Sequence, residues 1–356
     1  MTDDSTADSI TGSTTGSTAG TRPGPGRVTV GIKALNEERH IDAAIASALA
    51  AVARAGGGKV VLADSGSNDA TLALAARYDD VEIVQIERIW ERGCGAGAQM
   101  AFQSATGEYF YLLDGDMVLD AGFLAAGMAF LDANPGHAGV GGVVREADTS
   151  SIEFELRARN DREKGSAIAG DVDRLDCGGL YRISAVRQLG YFADRNLHAF
   201  EEFDLGARLL AAGWKLARID VPAVDHYGHA VGGYRLMFRR LLTGYAGGPG
   251  EILRAAIGRP HFWQIVRRFG QLRNGVAVWC WWTALVLALV QQAWPVLVGI
   301  GLLPLAFLSY RRRSLRLGLY SLAVWNFVAT GLISGLFRQR VSPDEPIRTR
   351  LIRHGS

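Results

Sequence analysis

Cysteine is scarce and poorly spaced for a structural role. The 356-residue chain has three, Cys94, Cys177 and Cys280. They are too scattered for a zinc cluster and too few for a disulfide framework, which fits a reducing compartment. Apolar residues are missing from the N-terminus. Met1 to Gly26 is rich in Ser, Thr and Gly, carries Asp3, Asp4 and Asp8, and has no hydrophobic stretch. It is no signal peptide, and with nothing to bury it is expected to be disordered. Internal repeats and nucleic-acid recognition motifs are also lacking, so the small net charge of +2 makes no case for a nucleic-acid partner.

Charge disappears toward the C-terminus. From Asn274 to Tyr310 there is no charged residue in a run of 37. One membrane span takes about 20 residues, so the run suits two short ones, with Gln291, Gln292 and Pro295 marking the break. Leu317–Phe337 is a second uncharged stretch and a third candidate span. Ahead of them, residues 234–274 hold eight Arg and one acid, Glu251, a block suited to anionic lipid head groups. Arg267, Arg268 and Arg273 precede the first apolar segment, and Arg311, Arg312, Arg313 and Arg316 follow the second. Both sets belong on the cytosolic side if those segments form a hairpin. A full third span would send Arg338, Arg340, Arg348, Arg350 and Arg353 outside, against the positive-inside tendency; either the third segment is re-entrant, helped by Asn326, Gly331 and Gly335, or the rule fails for this chain. The expected location is the inner (cytoplasmic) membrane, with the catalytic domain cytosolic.

The ordered part reads as alternating strands and helices. Arg27–Ile32, Lys59–Ala63, Val81–Ile86 and Tyr109–Leu113 are short apolar strands, separated by helical patterns over Glu37–Arg54, Ala70–Tyr78 and Gly93–Ser104. Such an order predicts an α/β fold with a mostly parallel sheet covered by helices on both faces. A later helix is expected at Asp204–Ala212, with Glu201 and Glu202 just before it, and then a strand at Lys215–Asp220. The division is a tail (1–26), an α/β domain (27–233), a basic juxtamembrane segment (234–273), transmembrane or re-entrant helices (274–337) and a basic tail (338–356).

Ligands of parallel sheets sit beyond the carboxyl ends of the strands, where Asn36, Asp64 and Asp114 all fall. Asp114-Gly115-Asp116 places two carboxylates one residue apart at a strand end. They could bind a hard divalent cation bridging two phosphates, or they could be solvated acids of a turn. Asp64, followed by Ser65, could accept from a nucleobase N–H or a ribose hydroxyl, while Ser67, Asn68 or Asp69 caps the next helix.

In this order, Val28-Thr29-Val30-Gly31-Ile32-Lys33-Ala34-Leu35-Asn36-Glu37-Glu38, Asp64-Ser65-Gly66-Ser67-Asn68-Asp69, Gly93 to Ala101 with Ala105-Thr106-Gly107-Glu108-Tyr109, and Asp114-Gly115-Asp116 resemble the family 2 glycosyltransferases of GT-A fold, over about residues 27–230. The resemblance implies inverting transfer from a nucleotide-sugar donor, with Mg2+ or Mn2+ as cofactor. It puts Ala34, Asn36 and Glu37 in the first nucleotide-contacting loop, Asp64 on the base or ribose, and Asp114 and Asp116 on the metal. Glu201-Glu202-Phe203-Asp204-Leu205, with Arg208 and Gly213-Trp214 following, matches the motif holding the general base. Glu202 stands at the base position, as Glu where the family commonly has Asp, and neighbouring Glu201 is a rival and a substrate contact. Many relatives carry Arg or Asn where this chain has Ala98-Gln99-Met100; Arg92 is the candidate phosphate contact instead. His226 or His229 is a candidate third metal ligand or a structural histidine.

The acceptor implied is lipid-linked or another membrane-proximal saccharide. A polyprenyl phosphate acceptor and a non-catalytic nucleotide-binding membrane scaffold are the alternatives. No Gln-x-x-Arg-Trp-like motif follows the base helix, which argues against processive polymer synthesis.

Overall fold

Strand β1 (Val28–Ala34) is buried along almost its whole length because helices cover both sides: Val28, Val30, Ile32 and Ala34 line one face, Thr29, Gly31 and Lys33 the other. The computed structural model describes residues 26–147, 169–176, 178–228 and 233–355. The N-terminal tail expected at 1–26, apart from Gly26, lies outside the described residues, as do Cys177 and His229. After β1 come α1 (Ile41–Arg54), β2 (Gly58–Asp64), the short α2 (Thr71–Ala75), β3 (Val81–Ile86), α3 (Cys94–Gln103) and β4 (Tyr109–Asp114). β5 (Met117–Leu119), α4 (Phe123–Ala133), β6 (His137–Glu146), β7 (Gly170–Val172), β8 (Gly179–Arg182), α5 (Ile183–Gln188), α6 (Glu201–Ala211) and β9 (Lys215–His226) complete the domain.

The strand order is β10-β3-β2-β1-β4-β8-β6-β9-β5, with β7 on β9; β10 (Thr349–Arg353) is contributed by the C-terminal tail. β3, β2, β1 and β4 run parallel, as the sequence predicts. Beyond β4 the sheet is mixed: β8 is antiparallel to both β4 and β6, and β6 is parallel to β9. One core, under α1 and α4, includes Ile32, Ile45, Tyr109 and Phe123. The other, under α3, includes Phe110, Met100, Phe192 and, from the tail, Ile347.

One expectation needs correcting, and the tail adds an element that the sequence did not show. α6 begins at Glu201, three residues earlier than its apolar pattern suggests, because Phe200 takes a left-handed conformation (φ 69°) that turns the chain directly into the helix. Glu201 and Glu202 therefore form its first turn, where acids favour the helix dipole. The basic tail is also not a free appendage. Its β10 pairs antiparallel with β3, and Gln103 and Ile347 exchange side-chain-to-backbone hydrogen bonds.

Past β9 the chain forms α7 (Gly233–Leu242), a 3-10 turn at Tyr245–Gly247, α8 (Gly248–Ala256) and α9 (Phe262–Arg268). Ile252, Ala256, Ile265 and Phe269 from this region pack on Phe203 and Ala207 of α6, which fixes the basic segment to the α/β domain. Three apolar helices follow: α10 (Gly270–Val290), α11 (Trp294–Arg312) and α12 (Leu315–Leu336), each long and apolar enough to cross a membrane. The break between the first two falls at Gln291–Ala293, beside the expected residues.

Candidate active site

Register assembles the site. In the parallel ladders Ala34 pairs with Asp64 and Lys33 with Asp114, so three strands end side by side. The loops beyond them are stitched together. Asn36, left-handed at φ 59°, donates its backbone N–H to Ser67 Oγ (2.9 Å), and its Oδ1 accepts from Asn68 N (2.9 Å). Glu37 N donates to Thr71 Oγ1 (2.8 Å), and Asp69 Oδ1 accepts from Thr71 N (3.0 Å), so Asp69 organises the start of α2. Asp64 is fully buried and accepts from Gly66 N, Ser67 N and Gln85 Nε2. Ser65 N donates to Ala34 O (2.9 Å). Asp64 thus shapes the loop that follows β2.

The carboxylates gather around one lysine. Lys33 Nζ lies 3.1 Å from Asp114 Oδ1 and 2.5 Å from Glu201 Oε1. Burial works against its charge, but Asp114 and Glu201 together hold its pKa well above the ordinary value. Burial raises Asp114, with Lys33 opposing. Lys33 was not singled out by sequence reasoning; the available signal was a lone ammonium ending an otherwise apolar buried strand. Cys94 lies within reach of the same charges, and burial pushes its thiol up to about 12.

Across the β4–β5 turn, Gly115 has room for no side chain, since a Cβ there would lie 2.8 Å from Glu37 Cγ. This close approach brings Glu37 over the Asp114 and Asp116 carboxylates, and burial followed by those two charges lifts Glu37 to about 8. Asp116 Oδ2 is 3.5 Å from His226 Nε2, and His226 Nδ1 is 2.8 Å from Glu146 Oε2. Burial lowers His226, but hydrogen bonds to Asp116 and Glu146 outweigh it and bring it to about 9. Glu146 is a second residue the sequence did not reveal; it reaches His226 only through the β6–β9 pairing. Among the described residues no three His, Cys, Asp or Glu side chains form a finished metal-ligand set.

The two adjacent glutamates diverge. Glu201 is buried on Lys33, whereas Glu202 is half-buried and its Oε1 accepts from Gly178 N at 3.4 Å. Burial first, then Glu201 and Asp114, push Glu202 up to about 8, with Lys33 opposing. The rest of the motif is architectural. Arg208 Nε donates to Asp204 Oδ2 (2.7 Å) and its other nitrogens to the carbonyls of Tyr191 and Phe192. Gln99 Oε1 accepts from Phe192 N and Ala193 N, so it too is a structural brace. Half-buried Arg92 follows a 3-10 turn, Ile89–Glu91, whose Trp90 is 80% exposed. The Arg92 charge acts on Tyr245, as do those of Arg239 and Arg338.

This geometry has counterparts. Residues 29–190 match the model of glycosyl transferase family 2. The α/β domain has the GT-A fold. The mannosyltransferase PcManGT from Pyrobaculum calidifontis, solved with GDP-Man and Mn2+, superposes with a TM-score of 0.61 at 20% identity, over 88% of this chain and 88% of its own. Residues 1–349 of S. aureus TarS, in complex with UDP-GlcNAc, align with a TM-score of 0.48 at 17% identity, over 66% of this chain and 72% of that one. No curated protein sequence matches the chain.

Proposed function

We propose that the protein is an inverting glycosyltransferase that moves a sugar from a nucleoside-diphosphate sugar to a lipid-linked or other membrane-proximal acceptor, from the cytosolic side of the inner membrane. The observation that carries this reading is the convergence of Asp114, Asp116, Glu37 and His226 on one side of Lys33, with Glu202 beyond Glu201. The loop of Ala34, Asn36, Glu37, Asp64 and Ser65 would take the nucleoside, and Arg92 the phosphates.

Glu202 would act as general base. A carboxyl near pH 8 is well matched to a hydroxyl that must lose its proton as the sugar arrives. Glu201 is held by Lys33, so it positions that ammonium and leaves the acceptor face to its neighbour. Lys33 fixes the Asp114 carboxylate at the donor side.

The residues present fit a divalent cation. Buried acids crowd together strongly enough to raise Glu37, and Mg2+ or Mn2+ commonly uses one or two carboxylates with substrate phosphates completing its shell. Asp114 and Asp116 would hold it, and His226 would join them on losing the proton that Asp116 and Glu146 favour. When bound, it would neutralise charge on the departing diphosphate.

The test is a panel of radiolabelled nucleotide-sugars offered to the full chain in liposomes containing membrane lipid extract. Transfer to lipid from one donor, dependent on Glu202, is the expected result. Donor binding without transfer or hydrolysis would favour a non-catalytic scaffold and overturn the proposal.

A further inference from the structure

The strand β10 follows the last apolar helix, yet it lies in the same sheet as β1–β4, which precede the first one. A chain that starts and ends on one side of a bilayer crosses it an even number of times. Three candidate spans cannot all be crossings. We propose that the chain crosses the membrane twice, through α10 and α11, and that α12 stays on the catalytic side, embedded against the juxtamembrane helices.

Burial separates the three helices. Of the most apolar window of each, 17% is buried in α10 and 6% in α11, against 44% in α12. The first two are bare apolar rods of about 30 Å, the thickness of a hydrocarbon core, and need lipid around them. α12 is partnered along its length. Near its start, the Tyr320 ring meets Tyr234 of α7 edge-on at 5.0 Å. Near its end, Gly331 and Gly335 let its backbone touch the carbonyls of Ala246 and Gly247, where any Cβ would collide. Those points are about 22 Å apart along the helix, and both lie on the segment that packs on the catalytic domain. Its one amide, Asn326, is satisfied within the protein: Oδ1 accepts from Trp282 Nε1 (2.9 Å) and Nδ2 donates to Leu322 O (2.9 Å).

Charge selects the same pair of spans. The α10–α11 turn, Gln291–Ala293, carries none, whereas the α11–α12 junction holds Arg311, Arg312, Arg313 and Arg316. A hairpin of α11 and α12 would carry that cluster across the membrane. A hairpin of α10 and α11 keeps it beside Arg267, Arg268 and Arg273. The tail arginines that looked misplaced then stay with the catalytic domain, as their contacts require: Arg338 binds Glu251, Arg340 binds Asp194 and Arg353 binds Asp79.

Sealed vesicles of defined orientation test this with the full chain. Protease-cleavable tags at the N- and C-termini should be cut from the same face. A Gln292→Cys variant, compared with the parent chain's own cysteines, should gain labelling by a membrane-impermeant maleimide only from the opposite face. A C-terminal tag shielded where the N-terminal tag is cut would mean an odd number of crossings and overturn the proposal. So would labelling of Gln292→Cys from the catalytic face, or from neither face.

Discussion

Lys33 and Glu201 are 168 positions apart in the chain and 2.5 Å apart in space. Both are nearly buried, and Asp114 completes the group. Removing one partner of a buried pair leaves an uncompensated charge and costs about 3–5 kcal/mol. Lys33→Met should therefore lower the melting temperature markedly, and adding Glu201→Gln should recover part of the loss. Additive effects of the two changes, measured as a double-mutant cycle, would show that the pair is not coupled.

The glutamates of α6 should separate kinetically. Glu202→Gln is expected to reduce kcat by about 10²–10⁴-fold with donor affinity nearly unchanged. Glu201→Gln should act mainly on stability and donor affinity. If Glu202→Gln retains full turnover, the acceptor arrives already ionised, as a polyprenyl phosphate would.

Because burial raises Glu202 to about 8, activity and stability should move in opposite directions with pH. A general base at Glu202 would work only when ionised, so kcat/KM is expected to rise as pH passes through about 8. A carboxyl raised above its ordinary value of 4.5 makes its full contribution to stability below that value and loses it as pH rises through about 8. Melting temperatures of the wild-type chain without donor should fall across that window more steeply than those of Glu202→Gln. Parallel curves would remove Glu202 as the titrating group.

Asp114→Ala and Asp116→Ala should each abolish Mn2+-stimulated transfer while the chain still folds. Mn2+ titration of donor binding checks this directly. Unchanged activity of both variants in EDTA would leave the pair no role with a cation.

Ile347, 2% exposed, fills the core under α3 although it belongs to the tail. Ile347→Ala should cost about 2–5 kcal/mol, read as a lower melting temperature in detergent. A change within error would mean the tail docks only loosely.

The parallel half of the sheet was legible because two-sided burial writes itself as apolar runs; Val81–Ile86 is found with the expected bounds. The donor loop was legible as order and spacing, but the part Asp64 takes in shaping it was not, since Gln85 reaches it from the next strand. Local pattern could not show Phe200 entering the left-handed region, for nothing in a phenylalanine announces it. Nor could it show Glu146 beneath His226, or Lys33 between Asp114 and Glu201, because those meetings depend on long-range register. The tail's arginines masked β10, a five-residue edge strand whose apolar content is Leu351 and Ile352.

β10 also sets a timetable. Its partner β3 leaves the ribosome about 260 residues earlier, which at roughly 5–20 residues per second is about 13–50 s of synthesis. Throughout that interval the open edge of β3 is a template for pairing with other chains. The strand that covers it is synthesised only after α10 and α11, so the sheet cannot be completed until both apolar helices have left the ribosome. A nascent chain stalled before Thr349 should be the form most exposed to aggregation and to proteases that read unpaired strands.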